Sequence, residues 1–186
     1  FYVIVTATTR PRRPSEFDGI DYIFINNRDF RNMVKKQELL EWAEVYGNLY
    51  GVPKKQVLDK MAQGQDVIIK TDIQGASTIK SIAPDALFIF LAPPNIAELK
   101  RRLTLRMTES EKTLAVRLRT AELEMVASRN FEHIVVNFRN KLGDTVRDIE
   151  KIVNETFGGH GICARVCSFL CTSNSSEKMF QLFARI

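Results

Sequence analysis

A stiff, basic loop near the start of the chain carries the first residues suited to chemistry. The segment Thr6–Arg13 holds three threonine hydroxyls and three arginines within eight residues. Forked guanidinium donors and hydroxyls suit phosphate oxygens. Pro11 and Pro14 restrict the loop, so the arginines are held in place. The alternative is a solvated basic loop, since charge runs usually lie at the surface.

Two carboxylates stand in apolar surroundings. Glu41 lies in an apolar segment next to Trp42, and Asp72 follows the apolar segment Val67–Ile69. A half-buried carboxylate needs a donor partner, and α/β proteins bind ligands at the carboxyl ends of parallel strands. For Glu41 the alternatives are a salt bridge or an outward-facing strand position. For Asp72 the alternative is a cap on the helix that follows.

A second basic cluster lies further along the chain. Arg102 and Arg106 are four residues apart and share a helix face, and Arg117 lies on the next helix. Two antiparallel helices could bring these arginines over one anion, as cations neutralise the charge of a transferred phosphoryl group. The alternative is an ordinary basic helix face.

Composition bounds the class of protein. Hydrophobic residues make up 45% and charged residues 26% of the 186 residues, which predicts one globular domain and argues against a disordered chain. No apolar run reaches the ~18–20 residues of a membrane helix, and no signal peptide opens the chain. The formal charge of +5 suits an anionic ligand but is too small to indicate a nucleic-acid binder.

Periodicity predicts alternating strands and helices. Short apolar or β-branched runs predict strands at Phe1–Val5, Asp21–Ile25, Leu39–Val45, Asp66–Lys70, Ala86–Leu91 and His133–Val136. Capped or amphipathic segments predict helices at Asp29–Lys36, Lys54–Ala62, Asn95 to about Arg106, Thr108 to about Ser128, and Leu142–Phe157, with a further helix after Asp72. The apolar runs flanked by helices predict parallel strands that are buried on both faces.

The two ends of the chain differ from the middle. Phe1–Val5 predicts a strand that is buried from its first residue, so we expect further sequence before it. All three cysteines, Cys163, Cys167 and Cys171, lie beyond Gly158-Gly159, and a cysteine-free body fits a reducing, cytoplasmic compartment. The cysteine spacing matches no common zinc pattern. We therefore predict an unrelated or disordered tail at 158–186.

Several motifs in order make the chain similar to guanylate kinase, of the nucleoside monophosphate kinase group, over about residues 1–157. The resemblance implies an α/β fold with a P-loop NTPase-like parallel sheet flanked by helices. It further implies a small mixed β GMP-binding subdomain at about 15–52 and a helical lid at about 100–120. The motifs are Thr8–Pro14, Asp18–Tyr22, Glu41–Ala43, Gly47–Gly51 and Asp72–Gly75.

The resemblance also implies an activity and a set of site residues. The activity is transfer of the γ-phosphoryl group of ATP to GMP, giving ADP and GDP, with Mg²⁺. The implied GMP site comprises Thr6, Arg10, Arg13, Tyr22, Glu41, Tyr50 and Asp72. Glu41 and Asp72 would accept hydrogen bonds from guanine N1–H and N2–H2. Arg102, Arg106 and Arg117 would act on the transferred phosphoryl group, with Arg102 and Asn137 also near ATP.

The chain departs from the family pattern in several places. Val52 stands where the family usually has a serine or threonine that contacts the base. Lys70 and Phe138 each stand where an acidic residue is common in the family. The Gly-x-x-x-x-Gly-Lys-[Ser/Thr] loop, which cradles ATP phosphates, does not occur in these 186 residues. We expect the missing strand, loop and helix to belong before Phe1, and predict impaired catalysis for the chain as given.

A non-catalytic binding module is the alternative from a different class. Modules that are similar to guanylate kinase reuse the phosphate pocket to hold phosphorylated peptides or partner proteins. Glu41 and Asp72 favour the enzyme, because a peptide binder has no use for guanine-reading carboxylates. We predict a cytoplasmic protein that binds GMP and ATP, with no nucleic-acid or membrane partner.

Overall fold

The computed structural model describes residues 1–105, 111–128, 131–158 and 166–171, with backbone only at 105, 111–114, 117 and 166–171. Six helices and nine strands lie in this part of the chain. In chain order they are β1 Tyr2–Val3, β2 Ala7–Thr8, β3 Ile23–Phe24, α1 Asn27–Lys35, β4 Leu39–Val45, β5 Asn48–Pro53, α2 Lys54–Ala62, β6 Val67–Thr71, α3 Ile73–Ile82, β7 Leu87–Ala92, α4 Ile96–Leu105, α5 Glu111–Ala127, β8 His133–Val136, α6 Leu142–Phe157 and β9 Val166–Cys171.

The larger sheet has five parallel strands in the order β1-β6-β9-β7-β8. All six residues of β7 are buried, as expected for a parallel strand that is covered on both faces. Helices α3 and α6 contribute Ala76, Ile79, Ile149 and Val153 to the main core around this sheet. The predicted α/β class with a parallel sheet flanked by helices is confirmed.

The middle of this sheet holds a strand that the sequence analysis did not predict. Strand β9 lies between β6 and β7, with Cys167 opposite Ile68 on one side and opposite Leu87 on the other. Composition alone predicts an unrelated or disordered tail at 158–186. Six of those residues form a strand, because a short apolar run can complete a buried parallel sheet wherever it lies in the sequence.

The smaller sheet has four strands in the order β3-β2-β5-β4. Strands β4 and β5 form a hairpin whose turn residues are Tyr46 (φ 51°) and Gly47 (φ 73°). Two consecutive positive φ angles are typical of the tight turn that matches the twist of paired strands. A separate apolar cluster of Ala7, Phe30 and Leu49 packs under this sheet. The predicted subdomain at about 15–52 overlaps the sheet, and its role stays a prediction.

Local sequence patterns predicted the bounds of the helices well and those of the first strand less well. Helices α2 and α6 have the predicted bounds, and the side-chain Oδ1 of Asn95 accepts a hydrogen bond of 2.8 Å from the Glu98 N–H, as a capping residue should. The expectation of a strand that is buried from residue 1 was wrong. Strand β1 is an edge strand of only two residues, and Phe1 is 64% exposed. Among the described residues, none of the helices has the length and apolarity that crossing a bilayer requires.

Candidate functional site

The basic loop is folded around one buried carboxylate. The Nη2 of Arg10 lies 2.7 Å from the Oε1 of Glu16, and the Nη1 of Arg13 lies 3.5 Å from the same oxygen. The other oxygen, Oε2, accepts a hydrogen bond of 2.8 Å from the Arg13 backbone N–H. Arg10 is 8% exposed, so the alternative of a fully solvated loop is wrong for this residue.

Glu16 therefore organises the two arginines that the resemblance assigned to a phosphate. Burial acts to raise the pKa of Glu16, but the hydrogen bond and charge of Arg10, with Arg13, hold that pKa below its ordinary value. The carboxylate stays ionised and fixes the guanidinium planes. The Nε of Arg10 is buried and has no hydrogen-bond partner among the described residues, so this guanidinium keeps unused donor capacity.

Aromatic rings connect this loop to the larger sheet. The Cζ of Arg10 lies 5.4 Å from the ring centroid of Tyr22, and the rings of Tyr22 and Tyr50 meet edge to face at 6.1 Å. From the larger sheet, the Nζ of Lys70 lies 5.5 Å from the same Tyr22 ring. Cations near a ring face are attracted by its quadrupole. Arg10, Arg13, Tyr22 and Tyr50, predicted to hold a phosphate, thus lie in one cluster.

Glu41 is buried and faces inward from β4. It is 5% exposed, and its Oε1 accepts a hydrogen bond of 3.3 Å from the Thr71 hydroxyl. Its Oε2 is buried and has no partner among the described residues. Burial, reinforced by the charge of Asp72 and opposed by the Thr71 hydrogen bond, raises the pKa of Glu41 to about 8. The outward-facing alternative is wrong, and no salt bridge to Glu41 occurs in the described part of the chain.

Asp72 caps helix α3 at the carboxyl end of β6. Its Oδ1 accepts a hydrogen bond of 2.8 Å from the Gly75 N–H, so the capping alternative is confirmed. Burial raises the pKa of Asp72, against backbone N–H groups that lower it. A third carboxyl, Glu124 on α5, has a pKa raised to about 8 by burial and by the charge of Asp72. The cap uses Oδ1 of Asp72, and the charge of this carboxyl is felt by Glu124.

A second pair of predicted residues meets beside β8, at the opposite edge of the larger sheet from β1. The Nη2 of Arg102 donates a hydrogen bond of 2.9 Å to the backbone carbonyl of Asn137. The Nε of Arg102 donates a hydrogen bond of 2.8 Å to the Oε1 of Glu98. The same oxygen lies 2.7 Å from the Nη2 of Arg101. Asn137 is 4% exposed. Arg106 lies outside the described residues, as does the side chain of Arg117, so their predicted positions stay predictions.

Thr6 immediately precedes β2. It is 4% exposed, and its hydroxyl is buried with no hydrogen-bond partner among the described residues. Its backbone carbonyl accepts a hydrogen bond of 3.0 Å from the Ile23 N–H, which fixes the start of the smaller sheet. A buried hydroxyl with spare donor and acceptor capacity suits a polar ligand.

Sequence reasoning missed three residues that shape the site. Glu16 stands six residues after Arg10 and three after Arg13, a spacing that could have suggested an ion pair. Thr71 precedes Asp72, but only the tertiary packing of β6 against β4 brings its hydroxyl to Glu41. Glu124 resembles an ordinary charged helix residue, and nothing local distinguishes it.

The fold and the site define an α/β protein that can hold a small anion beside a group rich in N–H donors. Comparisons with known proteins narrow this class. The family model for guanylate kinase matches residues 1–156. A rice (Oryza sativa subsp. japonica) protein named guanylate kinase 2, chloroplastic/mitochondrial is 42% identical over 154 residues, which cover 82% of this chain and 54% of that protein. The chain therefore belongs to the guanylate kinase family.

Other relatives agree with this assignment. The guanylate kinase of Thermobifida fusca is 46% identical over 136 residues, covering 73% of this chain and 69% of that protein. The crystal structure of guanylate kinase from Anaplasma phagocytophilum superposes with a TM-score of 0.70 at 28% identity, covering 84% of this chain and 77% of that one. The chain spans about half the length of the rice relative.

Proposed function

We propose that this chain binds GMP as the phosphoryl acceptor of the guanylate kinase reaction, in which ATP and GMP give ADP and GDP. One observation carries the proposal: Glu41 is 5% exposed and has a buried oxygen without a partner among the described residues. A buried carboxylate oxygen is costly unless a ligand supplies donors. Guanine supplies them through N1–H and N2–H2.

The same carboxylates account for selection of the base. The Watson–Crick edge of adenine has an acceptor where guanine has N1–H, so AMP would leave the carboxylate of Glu41 unpaired. Sites that are built to hydrogen-bond a substrate group reject analogues that lack it, by factors of about 10⁴ in favourable cases. Asp72, with one oxygen held by the Gly75 N–H, would use its remaining oxygen on the same edge.

The phosphate half of the proposed site is the cluster of Arg10, Arg13, Tyr22 and Tyr50. Arg10 and Arg13 are oriented by Glu16, and Tyr22 and Tyr50 stand beside Arg10 with hydroxyls that can donate to phosphate oxygens. A preorganised guanidinium loses little freedom on binding, which favours a dianionic phosphate. Thr6 adds a buried hydroxyl that has no hydrogen-bond partner among the described residues.

The ATP half of the site is incomplete in these 186 residues. Arg102 and Asn137 are in contact and could hold one side of ATP. The phosphate-cradling loop motif does not occur in these 186 residues. Within the described residues, no three His, Cys, Asp or Glu side chains gather as metal ligands would. Because the loop motif that cradles ATP phosphates does not occur in these residues, we propose slow turnover by this polypeptide.

A coupled ADP-release assay and calorimetry together test the proposal. We expect the chain to bind GMP with higher affinity than AMP. We expect its turnover to lie far below the ~1–100 per second of ordinary kinases. Turnover at ordinary rates would refute the impaired catalysis. Equal affinity for GMP and AMP would refute the guanine site and favour a phosphate-binding module. A cytoplasmic location stays a prediction, and the rice relative is named as chloroplastic/mitochondrial.

A further inference from the structure

We propose that Thr71 is a positioning residue for guanine selection, which supplies to Glu41 from strand β6 the hydroxyl that position 52 lacks. The inference rests on the proposed GMP site. It assigns a role to a residue that the sequence analysis left without one. Thr71 belongs to the larger sheet and Glu41 to the smaller sheet, so the contact joins the two halves of the site.

The cross-strand register shows which hydroxyl is missing. Glu41 on β4 pairs directly with Val52 on β5. Residues directly opposite each other on paired strands have neighbouring side chains on the same face. A serine or threonine at position 52, as the family resemblance implied, would therefore lie beside Glu41. Val52 is 0% exposed and carries only methyl groups there, so it offers the buried carboxylate no donor.

Thr71 approaches the same carboxylate from the other sheet. Its Oγ1 donates a hydrogen bond of 3.3 Å to the Oε1 of Glu41, the only hydrogen bond to this carboxylate among the described residues. The bond fixes the plane of the carboxylate and leaves Oε2 for a ligand donor. A hydroxyl at 71 therefore replaces a hydroxyl at 52 in holding Glu41.

Gly75 explains why the carboxylate and the hydroxyl fit together. A Cβ at Gly75 would lie 1.8 Å from the Thr71 Oγ1 and 2.5 Å from the Glu41 Oε2. Real Cβ atoms do not come this close, so the first turn of α3 can pass beside both groups only as glycine. Its N–H donates a hydrogen bond to the Oδ1 of Asp72, the second proposed guanine-reading carboxylate.

The consequence is a specificity effect rather than a general loss of binding. Valine matches threonine in shape, so Thr71→Val removes the hydroxyl and keeps the packing. Without a protein donor, Glu41 is free to rotate and harder to ionise. We expect GMP affinity to fall about 10- to 100-fold, the range for one hydrogen bond to a charged group. AMP, which does not use the ionised carboxylate, keeps its affinity.

Calorimetric titration of the full 186-residue chain with GMP and with AMP tests this. Thr71→Ser should keep the GMP preference, and Val52→Thr should restore it when added to Thr71→Val, since the hydroxyl then comes from the other strand. Thr71→Ala provides a second hydroxyl-free variant should Thr71→Val fail to fold. A merely structural role would not produce rescue from position 52.

The outcomes separate the two proposals. If the unmodified chain does not prefer GMP over AMP, the proposed function fails and this inference falls with it. If the unmodified chain prefers GMP and Thr71→Val keeps that preference, the inference alone is wrong. Equal losses of GMP and AMP affinity in Thr71→Val would also overturn it, because they would indicate damage to the phosphate cluster or the fold.

Discussion

The guanidinium of Arg10 and the carboxylate of Glu16 lie 2.7 Å apart, and their side chains are only 9% and 12% exposed. The pair closes a seven-residue segment of the basic loop and holds its arginines in a fixed arrangement that suits an anion. Removing one partner of a buried pair leaves an uncompensated charge, which costs more than the pair itself contributes.

Glu16→Gln should therefore destabilise the chain and weaken GMP binding. We expect a loss of about 2–4 kcal/mol in the free energy of unfolding and weaker GMP binding by about tenfold. Urea unfolding and calorimetry measure the two effects. Asp59→Asn is a matched control, because Asp59 pairs with Lys55 at an exposed site, where such pairs contribute about 0–1 kcal/mol. Equal effects of the two substitutions would contradict the prediction.

The Glu16 pair also predicts acid sensitivity. Because the folded pKa of Glu16 lies below its ordinary value of 4.5, its contribution is fully present above that value. It is lost as the pH falls through the lowered folded pKa. Unfolding curves between pH 5 and pH 2 should show a steeper loss of stability for the unmodified chain than for Glu16→Gln.

Glu41→Gln should stabilise the ligand-free chain near neutral pH. The folded pKa of Glu41 is raised from 4.5 to about 8, so folding takes up a proton between these values and stability falls as the pH rises. A neutral amide removes that cost, and we expect a gain of roughly 1–3 kcal/mol at pH 7. Glu44→Gln, at an exposed position of the same strand, should change little. Destabilisation by Glu41→Gln at pH 7 would argue against the raised pKa.

GMP binding should tighten as the pH rises through the pKa of Glu41. Guanine N–H groups need the ionised carboxylate, so binding releases a proton below pH 8. Between pH 7 and pH 8.5 we expect affinity to rise about fivefold to tenfold. This window avoids the phosphate ionisation near pH 6.

Two variants identify the group that titrates. Glu41→Gln should bind GMP weakly with a flat pH profile. Burial and the charge of Asp72 raise the pKa of Glu124 to about 8 as well, so Glu124→Gln is the required control and should keep the slope. A profile that flattens in Glu124→Gln alone would assign the titration to helix α5.

Gly75→Ala should damage the guanine half of the site. The added Cβ would lie 1.8 Å from the Thr71 hydroxyl oxygen, so β6, α3 or β4 must shift. We expect a loss of about 1–3 kcal/mol in the free energy of unfolding and a reduced preference for GMP over AMP. Gly143→Ala in α6 is the matched control. Its Cβ would meet nothing closer than 3.7 Å, and the substitution should stabilise the helix by about 0.5–1 kcal/mol. Thermal unfolding of both variants measures the contrast.

Sequence reasoning predicted the parts of this molecule that are encoded locally. Helices α2 and α6 and the Asn95 cap follow from periodicity and capping, which act within a few residues. The inward orientation of Glu41 and its contact with Thr71 could not be read from a pattern, because they depend on how two sheets meet. Strand β9 was missed because its pairing partners lie about 80 and about 100 residues away in sequence.

The position of β9 has a consequence for how the chain folds during synthesis. Its neighbours β6 and β7 leave the ribosome long before it, and neither pairs with the other. Among the described residues only β9 pairs with the facing edges of β6 and β7, so within this part of the chain those edges wait for residue 171 to emerge. Contacts that span so much sequence slow folding, and unpaired strand edges invite association with other chains. Nascent chains of this protein should depend on chaperones until β9 is made.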